Sequence, residues 1–190
     1  MPKRYLTKSR FKLAMECPTK LYYAQNSEIY KNAKTENDFL ETLAEGGFQV
    51  GQMATLTFPD GIEIDAKENE AAIIQTRKYL EGTGRVVLFE PAFAFEDLLV
   101  RVDIFVKDGP YIEIIEVKAK SYDSKSPAFL EARASIRPDM VTYIRDIAFQ
   151  KYVMSRIFPK ASIKAFFIMP DKSVQATTDG LNQCFRIKSE

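Results

Sequence analysis

Two acidic side chains and one lysine interrupt segments that are otherwise apolar and β-branched: Asp103 in LLVRVDIFV (residues 98–106), and Glu116 and Lys118 in YIEIIEVKA (residues 111–119). Glu116 and Lys118 lie two positions apart, so on a strand they share a face. Ile112, Ile114 and Ile115 precede them and mark that strand as central and buried, where charges need a reason. Two neighbouring carboxylates stay ionised at little cost when a cation sits between them. Oxygen ligands of this kind suit Mg²⁺ or Mn²⁺. A lysine beside them can orient a water, help remove its proton or stabilise charge developing on a phosphoryl group. These are the parts that metal-assisted attack of water on a phosphodiester needs. The plainer expectation is a Glu-x-Lys on a solvated strand face with no chemistry.

The elements that must position these residues follow from periodicity. Residues 98–106 predict one strand, with Leu98, Val100, Val102, Ile104 and Val106 on one face and Leu99, Arg101, Asp103 and Phe105 on the other. Lys107-Asp108-Gly109-Pro110 carries a hairpin signal, so this strand pairs with residues 111–119 and Asp103 falls across from Glu116. RVVLFE (residues 85–90) predicts a third strand and ASIKAFFIM (residues 161–169) a fourth. Residues 138–158 predict a long helix between strands, which implies a parallel crossover. Upstream, residues 7–23 predict a helix capped by Thr7 or Ser9 and interrupted at Pro18, which starts a second short helix. Residues 36–56 predict another, with Phe39, Leu43, Val50, Met53 and Ala54 apolar and with Gly46, Gly47 and Gly51 implying a kink or close packing. Phe58-Pro59-Asp60-Gly61 is a turn signal, and residues 67–80 predict a helix ended by Gly82 and Gly84. The expected fold class is α/β, a mixed central β-sheet flanked by helices, with residues 1–190 as a single domain.

Composition narrows the chemistry further. The chain has 190 residues, 46% hydrophobic and 28% charged, the balance of a globular protein with a real core. It has no histidine, which excludes a Ser-His-Asp triad, a Cys-His dyad, a HExxH zinc site and any histidine general base within this chain. Cys17 and Cys184 cannot build a disulfide framework or a four-cysteine metal site. No apolar run approaches the roughly 20 residues of a membrane span, and the basic N-terminus has no apolar stretch behind it, so a cytoplasmic address and no membrane are expected. Net charge is +1, yet its distribution is uneven. Residues 1–20 hold six basic side chains (Lys3, Arg4, Lys8, Arg10, Lys12 and Lys20) against Glu16, and residues 36–70 hold nine acidic ones against Lys67. Residues 118–145 are basic again through Lys118, Lys120, Lys125, Arg133, Arg137 and Arg145. Separated basic segments can converge into a phosphate-binding surface, or remain a solvated mixed-charge face.

Asp103 followed thirteen residues on by Glu116-Val117-Lys118 resembles the D…(D/E)xK signature of the PD-(D/E)xK nuclease superfamily. YLTKSRFKLAMECPTKLYY, with Ser9 and then Cys17-Pro18-Thr19-Lys20-Leu21-Tyr22-Tyr23, resembles the opening of its RecB-like branch, which includes CRISPR-associated exonucleases. The resemblance runs from the N-terminus to about residue 160. It implies a restriction-endonuclease-like core and a Mg²⁺- or Mn²⁺-dependent deoxyribonuclease. Asp103 and Glu116 would hold the metal, with the Val117 carbonyl as a third ligand and Glu90 completing the site or holding a loop. Lys118 would position the attacking water. Gln150 matches the glutamine of the family's QxxxY helix motif, near active site and DNA. Independently, Gln150 falls on the stripe Tyr143, Ile147, Gln150, Met154 and Ile157, where a glutamine needs a partner, in the site or on the backbone. Lys8, Arg10, Lys12, Lys20 and Lys120 are the expected nucleic-acid-binding side chains.

The sequence departs from this pattern in three places. The family's second-helix histidine is missing from Glu45-Gly46-Gly47-Phe48-Gln49-Val50-Gly51, leaving Gln49 or Glu45 as substitutes. Met154 stands where the motif has tyrosine, and of the iron–sulfur cysteines only Cys17 matches, which makes it a small buried hydrophobe. These losses keep open a non-catalytic nucleic-acid-binding module on the same fold, or a structural or protein-interaction domain. The chain also fits the N-terminal part of a larger protein, with a partner domain or subunit supplying substrate contacts.

Overall fold

Runs of β-branched and aromatic residues build the sheets, because such side chains pack well on a pleated surface. The computed structural model describes residues 4–31, 38–126, 129–130 and 135–179, with residues 38–45 described by backbone alone. The hairpin expected across residues 107–110 forms. β6 (Ile104–Asp108) and β7 (Tyr111–Val117) pair antiparallel, Ile104 opposite Ile115 and Lys107 opposite Ile112. Gly109 adopts φ 54° in the turn, a conformation without steric cost only for glycine. β3 (Val86–Phe89) pairs antiparallel with the other side of β6. The short β2 (Ile62–Glu63) runs parallel to β3 at one edge. At the other edge β8 (Ser162–Ile168) runs parallel to β7, and α5 (Pro138–Ile157) is the crossover between them. The five-stranded order is β2-β3-β6-β7-β8.

Residues 98–106 do not form the single strand that their alternation predicts. β5 (Leu98–Arg101) ends at Arg101, the chain bends at Val102 and Asp103, and β6 begins at Ile104. The reason is a competing hairpin. β4 (Ala92–Phe95), short and alanine-rich, pairs antiparallel with β5, while β1 (Leu6–Thr7) pairs parallel with its other side. One continuous apolar run therefore serves two sheets. Its halves do not share one buried face: Leu99 and Val100 are both buried, as are Ile104, Phe105 and Val106. Backbone bonds from Val102 N–H to the Pro91 carbonyl (3.1 Å) and from Glu90 N–H to the Asp103 carbonyl (3.1 Å) fix the corner. The fold is thus mixed α/β, with two mixed sheets flanked by helices.

Helices cover both faces of the larger sheet. On one face Leu88, Phe105, Ile112 and Ile114 join α5 residues Ile147, Phe149, Val153 and Met154, and Ala72 and Ile73 of α4 (Asn69–Leu80). On the other, Val87, Phe89, Ile104, Val106 and Ile115 cluster with Ala54 of α3 (Asp38–Thr55). Each large aliphatic side chain buried this way contributes about 1.5–3 kcal/mol. α3 runs unbroken through Gly46, Gly47 and Gly51, and a Cβ at any of them would meet nothing within 4 Å, so neither the expected kink nor close packing explains these glycines. Gly61 is different. It closes the predicted turn through its N–H to the Phe58 carbonyl (2.9 Å), and a Cβ there would collide with the Phe89 ring. Among the described residues no helix is long and apolar enough to cross a membrane.

The N-terminal segment forms two helices, α1 (Lys8–Glu16) and α2 (Pro18–Gln25), divided at Cys17 with Pro18 in the first turn of the second. The Thr7 side chain caps α1 by accepting from the Arg10 N–H. Two long-range contacts set the direction of α1: the β1–β5 pairing, and Phe11 stacked on Phe149 with ring centroids 4.6 Å apart.

Candidate active site

Extending the β6–β7 register by one pair places Asp103 opposite Glu116, at the corner where the chain passes from one sheet to the other. The Val117 N–H donates to Asp103 Oδ2 at 2.6 Å and ties the two strands there. Glu116 shares its strand face with Ile112 and Ile114 and is 1% exposed. A bare carboxylate at such depth would cost several kcal/mol, so it must be answered by charge and hydrogen bonds. Three donors answer it. Lys8 Nζ donates to Glu116 Oε1 at 2.8 Å and Oε2 at 3.0 Å. Lys118 Nζ donates to Oε1 at 2.5 Å. Gln150 Nε2, itself 1% exposed, donates to Oε2 at 2.6 Å.

Lys8 also approaches Asp103, with Nζ 3.7 Å from Oδ1. The cation between the two carboxylates is therefore a lysine ammonium delivered by the first residue of α1. Burial pushes the Glu116 carboxyl up, but the charges and hydrogen bonds of Lys8 and Lys118 outweigh it and hold it below its ordinary range. Burial alone would lower the Lys8 pKa; the charges of Asp103 and Glu116 raise it instead. Asp103 is pushed up by burial and then by the Glu116 charge, against the pull of Lys8.

Two further groups complete the cluster. Asp146, buried on α5 one turn before Gln150, places Oδ2 3.9 Å from Lys118 Nζ, and burial raises its pKa. Sequence reasoning passed over it, although an acid four residues before Gln150 on a predicted helix was a usable signal. Tyr143, on the predicted stripe, lies beneath Lys118 and Lys120, with ammonium-to-ring distances of 5.5 and 5.7 Å.

The remaining expected residues divide. Glu90 ends β3 in the left-handed region at φ 53° and reaches solvent beside Asp103. Its pKa is pushed up to about 7, first by desolvation among its neighbours and then by the Asp103 charge. It lines an open cavity of about 350 Å³ together with Asp103, Val117, Glu63 and the α3 residues Gly47, Gly51 and Gln52. Gly47 and Gly51, one turn apart, add no side chain to that wall, which Phe48, Gln52 and Thr55 also line. Gln52 lines it where Gln49, an expected substitute for histidine, does not; the Glu45 side chain lies outside the described residues. Gln150 takes the carboxylate, not the backbone, as its partner.

Of the expected nucleic-acid contacts, Lys8 is turned inward. Arg10 Nη1 donates to the Tyr5 carbonyl at 2.7 Å. Lys12 is exposed, Lys20 pairs with Glu16 at 3.0 Å, and Lys120 pairs with Asp139 at 2.7 Å. Cys17 is half-buried at the start of α2, where the backbone N–H groups of Lys20 and Thr19 lower its pKa, so it is not the buried hydrophobe expected. Lys3, Arg133 and Cys184 lie outside the described residues.

Among the described residues no three carboxylate, thiol or imidazole groups converge closely enough to hold a metal ion by themselves. Mg²⁺ does not require three: it binds through one or two carboxylates and keeps several waters. Asp103 Oδ1 and the Glu116 carboxylate already face one cation position, so this donor set fits a hard divalent ion. No family model, curated protein or solved structure matches the chain.

Proposed function

We propose that this chain is a Mg²⁺- or Mn²⁺-dependent nuclease that hydrolyses phosphodiester bonds of DNA on a restriction-endonuclease-like core. The observation that carries the reading is the convergence of Asp103 and Glu116 on one cation position with Lys118 Nζ 2.5 Å from Glu116. The core assignment is supported by the antiparallel β3-β6-β7 unit joined to parallel β8 through α5. DNA as the substrate comes from the motif resemblance.

Asp103, Glu116 and the Val117 carbonyl would hold the ion, which when bound supplies Lewis-acid polarisation of the phosphate. Lys118 positions the water that attacks phosphorus and offsets charge developing on the phosphoryl oxygens. The water's O–P bond forms as the P–O bond to the leaving strand breaks, the proton shed by the water passes to a carboxylate or solvent, and solvent protonates the leaving oxygen. Gln150 fixes the Glu116 carboxylate, and Asp146 holds the Lys118 ammonium from the helix side. Glu90, at the mouth, is placed to accept a proton or to complete the ligand set. Arg10, Lys12, Lys20 and Lys120 would meet backbone phosphates.

A second reading is a nucleic-acid-binding module without turnover. The ammonium of Lys8 at the cation position favours it. End-labelled single- and double-stranded DNA, incubated with wild type and Glu116→Gln in Mg²⁺, Mn²⁺ or EDTA, separates the two. Metal-dependent cutting by wild type, reduced at least about a hundredfold in the variant, is expected. Salt-sensitive binding with no cutting in any metal would sink the nuclease and leave the module.

A further inference from the structure

We infer that Lys8 is a resident counter-cation that a divalent metal ion must displace, so that the first turn of α1 gates metal loading of the carboxylate pair. The inference rests on the metal-dependent reading above. Lys8 Nζ lies 2.8 and 3.0 Å from the two Glu116 oxygens and 3.7 Å from Asp103 Oδ1. Asp103 Oδ2 is already engaged by the Val117 N–H, so Oδ1 is the oxygen left to a cation, and it faces Lys8. An ammonium and a dication cannot share that position, because like charges repel strongly where the protein excludes water.

Of the three donors on Glu116, Lys8 is the one able to leave. Its side chain is 28% exposed and is attached to the start of a helix. Lys118 sits just past the end of β7, tied to β8 through its N–H to the Ile168 carbonyl and facing Asp146 as well, and the Gln150 amide is buried in the core. Lys8 thereby neutralises the pair when metal is absent, and its departure weakens metal affinity by the free energy of its own pairing.

Mn²⁺ binding to wild type and Lys8→Met, followed by the electron paramagnetic resonance signal of free Mn²⁺, tests this directly. The variant is expected to bind about tenfold more tightly, the loss of about 1.4 kcal/mol of competition. Equal or weaker binding by the variant overturns the inference alone. Absence of Mn²⁺ binding in both proteins overturns the metal-dependent reading and the inference with it. Because Lys8→Met removes the cation shared by two carboxylates and can unfold the protein, a measurement on wild type runs beside it. Acetylation of Lys8 by acetic anhydride, followed by mass spectrometry, should accelerate about tenfold in saturating Mg²⁺ as the ammonium is released. A Lys8 rate unchanged by Mg²⁺ overturns the displacement.

Discussion

Glu116 and Asp139 are each gripped by two cations, and there the likeness ends. Glu116 meets Lys8, Lys118 and the Gln150 amide in the core, 1% exposed. Asp139 meets Lys120 at 2.7 Å and Arg137 at 3.1 Å in the first turn of α5, with 40% of its side chain in solvent. Both carboxyls are held below their ordinary range, Asp139 chiefly by the Lys120 and Arg137 hydrogen bonds. At Asp139 water competes for every partner and salt screens the pairs. At Glu116 the carboxylate itself is buried, its lysine partners are only 20–28% exposed, and their other acceptors, Asp103 and Asp146, lie farther off at 3.7 and 3.9 Å. The same pairing chemistry is dispensable at one place and indispensable at the other. Glu116→Ala should therefore cost about 3–5 kcal/mol, because two ammonium groups and an amide lose their nearest acceptor inside the fold. Asp139→Ala should leave the urea midpoint unresolvably close to wild type. Comparable losses for the two variants would mean that burial does not govern this molecule's ion pairs.

Gln150 sharpens the comparison, since it is the neutral member of the buried cluster. Its amide donates to Glu116 Oε2 at 2.6 Å and is enclosed by the α5 stripe. Gln150→Leu keeps the volume and removes the donor. A hydrogen bond to a charged group contributes about 1.5–3 kcal/mol, and that loss is the expectation from urea denaturation. A neutral or stabilising result would show that the two lysines alone satisfy Glu116.

The sequence made the carboxylate pair readable because one local feature sets it: the tight hairpin signalled at residues 107–110, which closes as the two-residue connection Gly109-Pro110, fixes the register that carries Asp103 to Glu116. The crossover helix and its glutamine were readable for a similar reason, as the 3.6-residue stripe belongs to one element. The division of residues 98–106 was not. Both halves are β-branched and alternate without a break, and the change of sheet is imposed by β4, a partner whose alanines weaken its own signal. Lys8 was misplaced for the same physical reason. In α1 it reads as one base among several, and only the pairing of β1 with β5 and the Phe11–Phe149 stack turn it inward. What local chemistry determines was legible; what distant segments impose on each other was not.

Glu90 supplies the opposite sign and the smallest effect. Glu116 has a lowered pKa, so its stabilisation is present above the unfolded value of 4.5 and is lost as pH falls through the folded one. Glu90 is raised from 4.5 to about 7. Between those values the folded state binds more protons there than the unfolded state, so the Glu90 contribution to stability falls as pH rises across that window and is constant above it. Because its side chain reaches solvent, the effect is screened to about 1 kcal/mol. Glu90→Gln keeps the left-handed backbone and its strain while removing the titration, and it also removes a negative charge that raises Asp103. Urea midpoints at pH 5 and pH 8 should show wild type losing about 1 kcal/mol more than the variant across the interval. Asp146 titrates in both proteins, so the difference reports Glu90 together with its coupling to Asp103. Parallel pH profiles would mean that the carboxylate at the mouth of the cavity belongs with the solvated surface instead of the site.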